Sequence, residues 1–313
     1  MRSTWLTALC GLTLALEVPL LAGCSALGAG GGSGTRVVAS FYPLAYVASR
    51  VAGDRAEVTN LTSPGVEPHD LELTPQQVAD VSDADVVVYE AGFQPSVDEA
   101  IDQSAGGTTF DVTDVVPLED TGASAEKQGD GPGDAAKAPL EGDPHLWLDP
   151  TLLVPIAEQL ADDLAEADPG HAREYQRNAG ALVSDLKSLD QDFTHGLATC
   201  ERRAFVTSHA AFGYLAQRYD LSMVPIAGLS PDVEPSPERL AEIQDYIEQD
   251  DITTVFSETL GSKKYADALA SDLGVETAVL DPIEGLADDS SDDDYLSLMR
   301  ANLTALEKAN DCT

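Results

Sequence analysis

Basic residues are scarce in this sequence. Its 313 residues include 17 lysines and arginines against 55 aspartates and glutamates, a formal net charge of −38 at pH 7. Such a chain would repel the phosphates of nucleic acid, so no nucleic acid partner is expected and a cation-attracting surface is favoured. The hydrophobic share of 43% is still large enough for two modest domains, each with a core of its own.

Long apolar runs are also missing. The apolar run at 6–16 follows Arg2, is too short for an ordinary membrane helix, and leads to small residues and a cysteine at 21–24. This ending resembles the lipobox of bacterial lipoproteins. The resemblance implies a signal peptide over 1–23, lipid on Cys24 and a Gly-rich tether over 24–35, which would hold the protein outside the cell membrane. Glu17 interrupts the apolar run, so a plain secretory peptide is the alternative.

Cysteines are few as well. Of the four, Cys10 would leave with the signal peptide and Cys24 would carry lipid, so that Cys200 and Cys312 remain. Two remaining thiols in an exported protein most simply form a disulfide, which would tie the C-terminal tail to the start of the second half of the chain. Two unpaired thiols are the alternative.

Strand and helix patterns alternate from residue 36 onwards. The apolar run at 84–89 is typical of a buried parallel strand, and Thr74 with Pro75 begins a well-capped helix. Alternation of this kind predicts an α/β fold with mostly parallel sheets. The pattern restarts after a long helical stretch. We therefore predict two α/β lobes, an N-terminal one over 36–168 and a C-terminal one over 199–313, joined by one long rigid helix over 169–198.

The regular pattern stops between residues 119 and 143. Gly, Ala, Asp, Glu and Pro dominate this stretch, which predicts an acidic loop within the first lobe. The loop could collect cations near a site, or it could be a solvated insertion without a role in binding.

Three short segments place a histidine in a restricted setting, and a fourth offers a carboxylate. His145 lies between two prolines, His69 lies in a loop after a predicted strand, and His209 and Asp281 directly follow strands. Ligands of open parallel sheets sit outside the carboxyl ends of the strands, so these side chains are candidates for a metal site in the cleft between the lobes. Each histidine taken alone could equally be structural.

The chemistry of these side chains favours zinc. Three imidazoles and one carboxylate suit a four-coordinate Zn²⁺ shell, whereas manganese more often has additional oxygen ligands. Imidazoles must be neutral to bind, so affinity should fall below about pH 6.5. Asp70, Glu67 and Glu258 are candidates to orient the imidazoles. His171 and His195, at the two ends of the long helix, are expected to take no part.

Several longer motifs resemble one known family, the metal-binding solute-binding proteins of bacterial ATP-binding-cassette importers, also called ZnuA/TroA-like. The similarity runs from Val37 to the C-terminus. The motifs are ASFYPL at 39–44, EPHDLELTP at 67–75, ADVVV at 84–88, DPHLWLDP at 143–150 and TSHAAFGYL at 207–215. The fold of that family, two α/β lobes joined by one long rigid helix, agrees with the pattern of predicted elements.

The resemblance implies a ligand set and a function. The metal ligands would be His69, His145, His209 and Asp281, and a histidine at 209 favours zinc because manganese-binding members tend to have glutamate there. The chain would capture Zn²⁺ and deliver it to the membrane permease of an importer, as a monomer without enzymatic activity. Many zinc-binding members have a histidine-rich loop where this chain has the acidic loop. The sequence at 89–92 also differs from the one common in the family.

Three other functions remain open from the sequence. A manganese importer component would use the same fold with Mn²⁺. A surface adhesin that uses the metal for structure would share every feature of the sequence. A secreted zinc hydrolase would need an open coordination position and a general base, for which Glu67 or Glu258 would be available.

Overall fold

The structure of the protein, a computed structural model, describes residues 34–122, 142–288 and 292–313. The predicted signal peptide, the lipidation site Cys24 and most of the tether lie outside these residues, as does most of the acidic loop. The first strand begins at Thr35, the last residue of the predicted tether. Within the described ranges, no helix has the length and apolar character needed to cross a membrane.

The first lobe contains a four-stranded sheet in which all strands are parallel. The strand order is β2-β1-β3-β4, so the direction of winding reverses between β1 and β3. Its elements are β1 (Thr35–Ala39), α1 (Tyr42–Ala52), β2 (Ala56–Asn60), α2 (Pro75–Asp83), β3 (Val86–Tyr89), α3 (Pro95–Ser104) and β4 (Thr108–Asp111).

Two helices, α4 (Leu153–Ala167) and α5 (Ala172–Gly196), lead from the first sheet to the second. α5 has 25 residues and so spans about 37 Å. Its buried side chains recur every three or four positions, as expected of a helix with one apolar face. α5 packs against α1, α4 and α9 (Tyr295–Ala309), the last helix of the chain.

The second lobe repeats the arrangement of the first. Its sheet has the order β6-β5-β7-β8, again with all strands parallel, and the winding reverses between β5 and β7. The elements are β5 (Ala204–Thr207), α6 (Gly213–Arg218), β6 (Ser222–Pro225), α7 (Pro237–Gln249), β7 (Thr254–Ser257), α8 (Lys264–Leu273) and β8 (Glu276–Val279). The α/β fold with two parallel sheets is therefore confirmed.

Local sequence explains most element boundaries. Thr74 and Gln77 form a reciprocal capping box at the start of α2, with Pro75 at its first position. The central strand β3 is apolar along its buried part because helices cover both faces of a parallel sheet. The final helix begins at Tyr295 because the side chain of Asp294 caps it.

One hydrophobic cluster connects the two lobes. It contains Val37 and Val86 from the first sheet, Phe205 and Phe256 from the second, and the buried face of α5. Smaller clusters cover the outer face of each sheet. The two sheets are therefore held by a shared core, which fixes where the loops at their carboxyl ends meet.

The structure contains the predicted disulfide between Cys200 and Cys312. It joins the segment before β5 to a residue three positions beyond the end of α9, and the two cysteines also form an isolated antiparallel bridge. The C-terminal end of α9 is thus covalently attached to the second lobe.

We predict that the double variant Cys200→Ser, Cys312→Ser lowers the free energy of unfolding of the metal-free mature chain by about 3 to 5 kcal/mol. The reason is that the disulfide joins residues 112 positions apart and so restricts the unfolded chain. Urea denaturation followed by circular dichroism measures this change. The parent in reducing agent is the control and should unfold with the variant. Coincident unfolding curves for oxidised parent and variant would show that the disulfide adds no stability.

Candidate metal centre

Four side chains from four separate loops meet between the lobes. His69 lies in the loop after β2, His145 precedes a short 3-10 helix over Leu146–Leu148, and His209 follows β5 directly. The fourth is Glu284, in the loop after β8. Three of these loops begin at carboxyl ends of parallel strands, which is where α/β sheets present their ligand sites.

The ligand atoms of this cluster are close enough to share one ion. All four lie within 4.8 Å of one another. Glu284 Oε1 lies 3.4 Å from Nε2 of His69, 3.2 Å from Nε2 of His145 and 3.1 Å from Nε2 of His209. The Nε2 atoms of His145 and His209 are 3.3 Å apart. Ligand atoms about 2.0 to 2.1 Å from a tetrahedral zinc ion are about 3.3 Å apart, so these spacings fit a tetrahedral shell.

The cluster is buried. The side chains of His145 and His209 are 0% exposed and that of Glu284 is 1% exposed, while His69 is 11% exposed and forms the side nearest to solvent. His69 Nε2 is itself buried and has no hydrogen-bond partner among the described residues. A buried ring nitrogen that faces three other ligand atoms without a hydrogen bond is expected where a metal completes the arrangement.

Two carboxylates fix the orientation of the two fully buried imidazoles, those of His145 and His209, which are called the inner imidazoles below. Asp143 Oδ1 accepts from the backbone amide of His145 at 3.0 Å and from its ring Nδ1 at 2.8 Å. Glu258 Oε1 accepts from the amide of His209 at 3.1 Å and from its Nδ1 at 2.7 Å. A hydrogen on Nδ1 leaves the Nε2 lone pair free to point at the cluster.

Glu258 is thus one of the orienting residues expected from the sequence, whereas Asp143 was missed. The signal for Asp143 was present, since it stands two residues before His145 across a proline, as Glu67 stands before His69. Glu67 Oε1 accepts from the His69 backbone amide at 3.3 Å. The acid-Pro-His pattern therefore occurs twice, and in both copies the acid binds the histidine amide.

The expected fourth ligand, Asp281, lies outside the cluster, and Glu284 takes that place. Asp281 Oδ2 accepts from Thr259 Oγ1 at 2.5 Å, and its Oδ1 accepts from the Ile283 amide at 2.8 Å. Both carboxylate oxygens are therefore engaged within the second lobe. Ile283 has a φ of 56°, in the left-handed region that β-branched residues rarely adopt, and the resulting turn directs Glu284 inward.

The other sequence candidates lie away from the cluster. Asp70 hydrogen-bonds Asp232, and this contact raises the pKa of Asp232. His171 Nδ1 donates to Asp168 Oδ2 at 2.6 Å at the start of α5. His195 lies in the last turn of α5. Neither of these two histidines belongs to the four-residue cluster, in agreement with the sequence analysis.

Electrostatics without metal favour protons on the two inner imidazoles. Burial lowers the pKa of His145, but hydrogen bonds with Asp143 and Glu284 outweigh burial, so that this pKa is raised. Burial also lowers the pKa of His209, while the negative charges of Glu258 and Glu284 raise it well above its ordinary value. The metal-free cluster therefore attracts protons to atoms that would bind a metal.

The pKa values of the other two members of the cluster, Glu284 and His69, are lowered. Burial raises the pKa of Glu284, but the charge of His209 and the hydrogen bonds from the imidazoles hold it well below its ordinary value. Burial lowers the pKa of His69 even though Glu284 lies close by. Burial, with the nearby charge of Glu284, raises the pKa of Glu67 to about 8. Glu284 is thus the stable negative charge at the centre of the cluster.

Known proteins resemble this chain over most of its length. The family model described as "Zinc-uptake complex component A periplasmic" matches residues 37–309. The zinc-binding lipoprotein AdcA of Streptococcus pneumoniae (strain ATCC BAA-255 / R6) is 36% identical over 281 residues, which cover 88% of this chain and 56% of AdcA. The high-affinity zinc uptake system protein ZnuA of Bacillus subtilis (strain 168) is 33% identical over 279 residues, or 88% of each chain.

A solved structure agrees in fold. The laminin-binding protein Lmb of Streptococcus agalactiae, described as a bifunctional protein with adhesin and metal transporting activity, has a TM-score of 0.75 and 32% identity. The match covers 88% of this chain and 99% of that one. By contrast, this chain spans a little over half the length of the AdcA relative, so AdcA includes a further portion that this chain does not match.

We predict that metal affinity rises with pH through neutrality. The raised pKa values of His145 and His209 favour protons on both imidazoles in the metal-free protein, and each Nε2 must lose its proton to bind. Binding should therefore release protons, and affinity should fall as pH decreases from about 8 to 6.

Calorimetry of zinc binding in buffers with different ionisation enthalpies measures the proton release, and chelator competition at each pH measures the affinity. The free energy of chelation by the competitor must be corrected for pH, with the competitor alone as control. Zinc binding without any proton release between about pH 6 and 8 would contradict the raised pKa values of His145 and His209.

Proposed function

Because the chain belongs to the zinc-uptake complex component A family, we propose that it captures Zn²⁺ outside the cytoplasm and delivers it to the membrane permease of an ATP-binding-cassette importer. The observation that carries this proposal is the buried cluster of three Nε2 atoms around Glu284 Oε1, spaced as a tetrahedral zinc shell requires. The ion is the cargo of the protein.

The ligand chemistry favours zinc over manganese. Three imidazole nitrogens and one carboxylate are a borderline set that suits a four-coordinate ion, whereas Mn²⁺ more often takes additional oxygen ligands. Burial of His145, His209 and Glu284 leaves little room for added water ligands on the inner side of the cluster. A manganese role would need the site to open toward solvent at His69.

Capture rather than catalysis fits the geometry. A hydrolytic zinc site keeps a position for water and places a general base beside it. In this cluster four protein side chains converge on one point, and the carboxylate of Glu258, one candidate base, is occupied by His209. The family is one of binding components of uptake systems, and the chain is not an enzyme.

The proposal extends to the location of the protein. A signal peptide over 1–23, lipid on Cys24 and a tether over 24–35 would attach the folded body to the outer face of the cell membrane, where it would act as a monomer. The lipobox-like sequence at 21–24 and the lipoprotein name of the AdcA relative support this placement. The lobes would extend over 36–168 and 199–313, with 169–198 as the helix between them.

We predict that the mature chain binds one Zn²⁺ tightly and that Mn²⁺ does not displace it. His209→Ala and Glu284→Ala should each weaken zinc binding by about 100-fold or more, because each variant removes one of four ligands. A competition titration of metal-stripped protein against a zinc chelator measures these affinities. His171→Ala is the matched control, since it removes a histidine that lies outside the cluster.

Either of two results would count against this assignment. If Mn²⁺ displaced Zn²⁺ from the parent, the metal would be wrong. If Glu284→Ala bound zinc as well as the parent, Glu284 would not be a ligand. Zinc-limited growth of cells that lack the protein, with and without the parent gene and the His209→Ala gene, tests delivery separately from capture.

Adhesion is a second candidate, supported by the structural similarity to a laminin-binding protein described as both adhesin and metal transporter. We predict that if the chain is an adhesin, the zinc-loaded mature protein binds immobilised laminin more strongly than the metal-stripped protein or an albumin control. Surface plasmon resonance measures this difference. Equal and negligible signals from all three would remove adhesion from consideration.

A further inference from the structure

Side chains hold the part of the loop that directly precedes Glu284. The Asp281 amide donates to Asn302 Oδ1 at 2.8 Å, and Asn302 Nδ2 donates to the Asp281 carbonyl at 2.6 Å. Trp147 Nε1 donates to the Pro282 carbonyl at 2.7 Å. The Ile283 amide also donates to Asp281 Oδ1. The backbone groups of the loop just before Glu284 are therefore hydrogen-bonded one after another.

Trp147 connects the backbones of two members of the cluster. It stands two residues after His145, and its indole N–H binds the carbonyl of Pro282, two residues before Glu284. Its ring lies 5.3 Å from that of His145 and 4.9 Å from that of Phe41, and the side chain is fully buried. A movement of the Glu284 loop would therefore have to break this hydrogen bond or displace a packed indole.

Helix α9 supports both partners of this connection. Tyr295 OH donates to the Trp147 carbonyl at 2.6 Å, and Asn302, seven residues further along α9, binds the Asp281 backbone. Residues seven apart lie on the same face of a helix. Tyr295 and Asn302 are both buried, so one face of α9 holds the segment of His145 and the segment of Glu284 in register.

The loop needs this support because its conformation is strained. The positive φ of Ile283 is unfavourable for a β-branched residue and persists only where surrounding structure imposes it. Release of the hydrogen bonds from Trp147 and Asn302 would let Ile283 relax to an extended backbone. Glu284 would then leave the position at which its Oε1 meets three Nε2 atoms.

We propose that Trp147 and Asn302 are positioning residues for Glu284 and that they determine the preference of the site for Zn²⁺ over Mn²⁺. This inference rests on the proposed function. A fixed carboxylate that offers one oxygen to a small tetrahedral shell suits zinc. A loosened carboxylate can turn to offer both oxygens and admit water, which reduces the disadvantage of an ion that prefers more oxygen ligands.

Trp147→Phe tests the proposal because it keeps an aromatic ring in the core and removes the N–H donor. Zinc affinity should fall about 10- to 100-fold, the range typical for loss of a residue that orients a metal ligand, while Mn²⁺ affinity should change by less than about 3-fold. Asn302→Leu should act in the same direction. Competition titrations of the mature chain with both metals give the Zn²⁺/Mn²⁺ affinity ratio.

Two controls separate positioning from general loss of stability. Tyr175→Phe removes the hydrogen bond from a buried aromatic residue to Asp168, and Leu306→Ala truncates a buried side chain of α9 that makes no hydrogen bond to the loop. Both should leave the affinity ratio unchanged. In addition, Trp147→Phe in a Glu284→Ala background should cost less than about 2-fold, because its effect acts through Glu284.

The outcomes distinguish this proposal from the proposed function. A parent chain that binds no zinc would overturn both. If the parent binds zinc tightly and Trp147→Phe has the same Zn²⁺/Mn²⁺ affinity ratio as the parent, zinc capture stands and the positioning role is overturned. The same conclusion would follow if Trp147→Phe cost as much zinc affinity without Glu284 as with it. A lower ratio that depends on Glu284 would support the proposal.

Discussion

The structure depends on one carboxylate oxygen buried against three imidazoles. Burial of Glu284 in a dry interior would be strongly unfavourable without a compensating positive charge. In the metal-free protein, the nearby carboxylates raise the pKa values of His145 and His209, which favours positive charge on the imidazoles beside Glu284. A zinc ion would supply positive charge instead. Metal binding at this site would therefore compete with protonation of the imidazoles, which would make binding depend on pH.

The two sheets make this arrangement possible because each repeats the same parallel order. In both lobes the winding reverses at the first strand, and the loops that leave the carboxyl ends face the space between the lobes. His209 follows β5 at such a reversal and is oriented by Glu258, which directly follows β7. The acid-Pro-His pattern holds the two histidines of the first half. Each inner imidazole is thus fixed by a carboxylate from its own half of the chain.

Helix α9 and the shared core turn two lobes into one binding unit. Because α5 packs against α1 of the first lobe and against α9, the relative position of the ligand loops is set by buried apolar contacts. The charge of the chain adds a second contribution. With a net charge of −38, its surface attracts cations in general, while the three imidazoles and one carboxylate inside form a set that suits zinc.

The sequence alone predicted the alternating elements and the three histidines from local patterns and motifs, and the disulfide pair from the number of cysteines. It offered Glu258 as one of several candidates to orient an imidazole. It predicted Asp281 as the fourth ligand, whereas the structure places Glu284 in the cluster. Both are carboxylates in the same short loop, and the choice depends on the backbone of Ile283 and on contacts with Thr259, Trp147 and Asn302, which are distant in sequence. Only the tertiary structure brings those residues together, so only it could show which carboxylate turns toward the histidines and which is held by its neighbours.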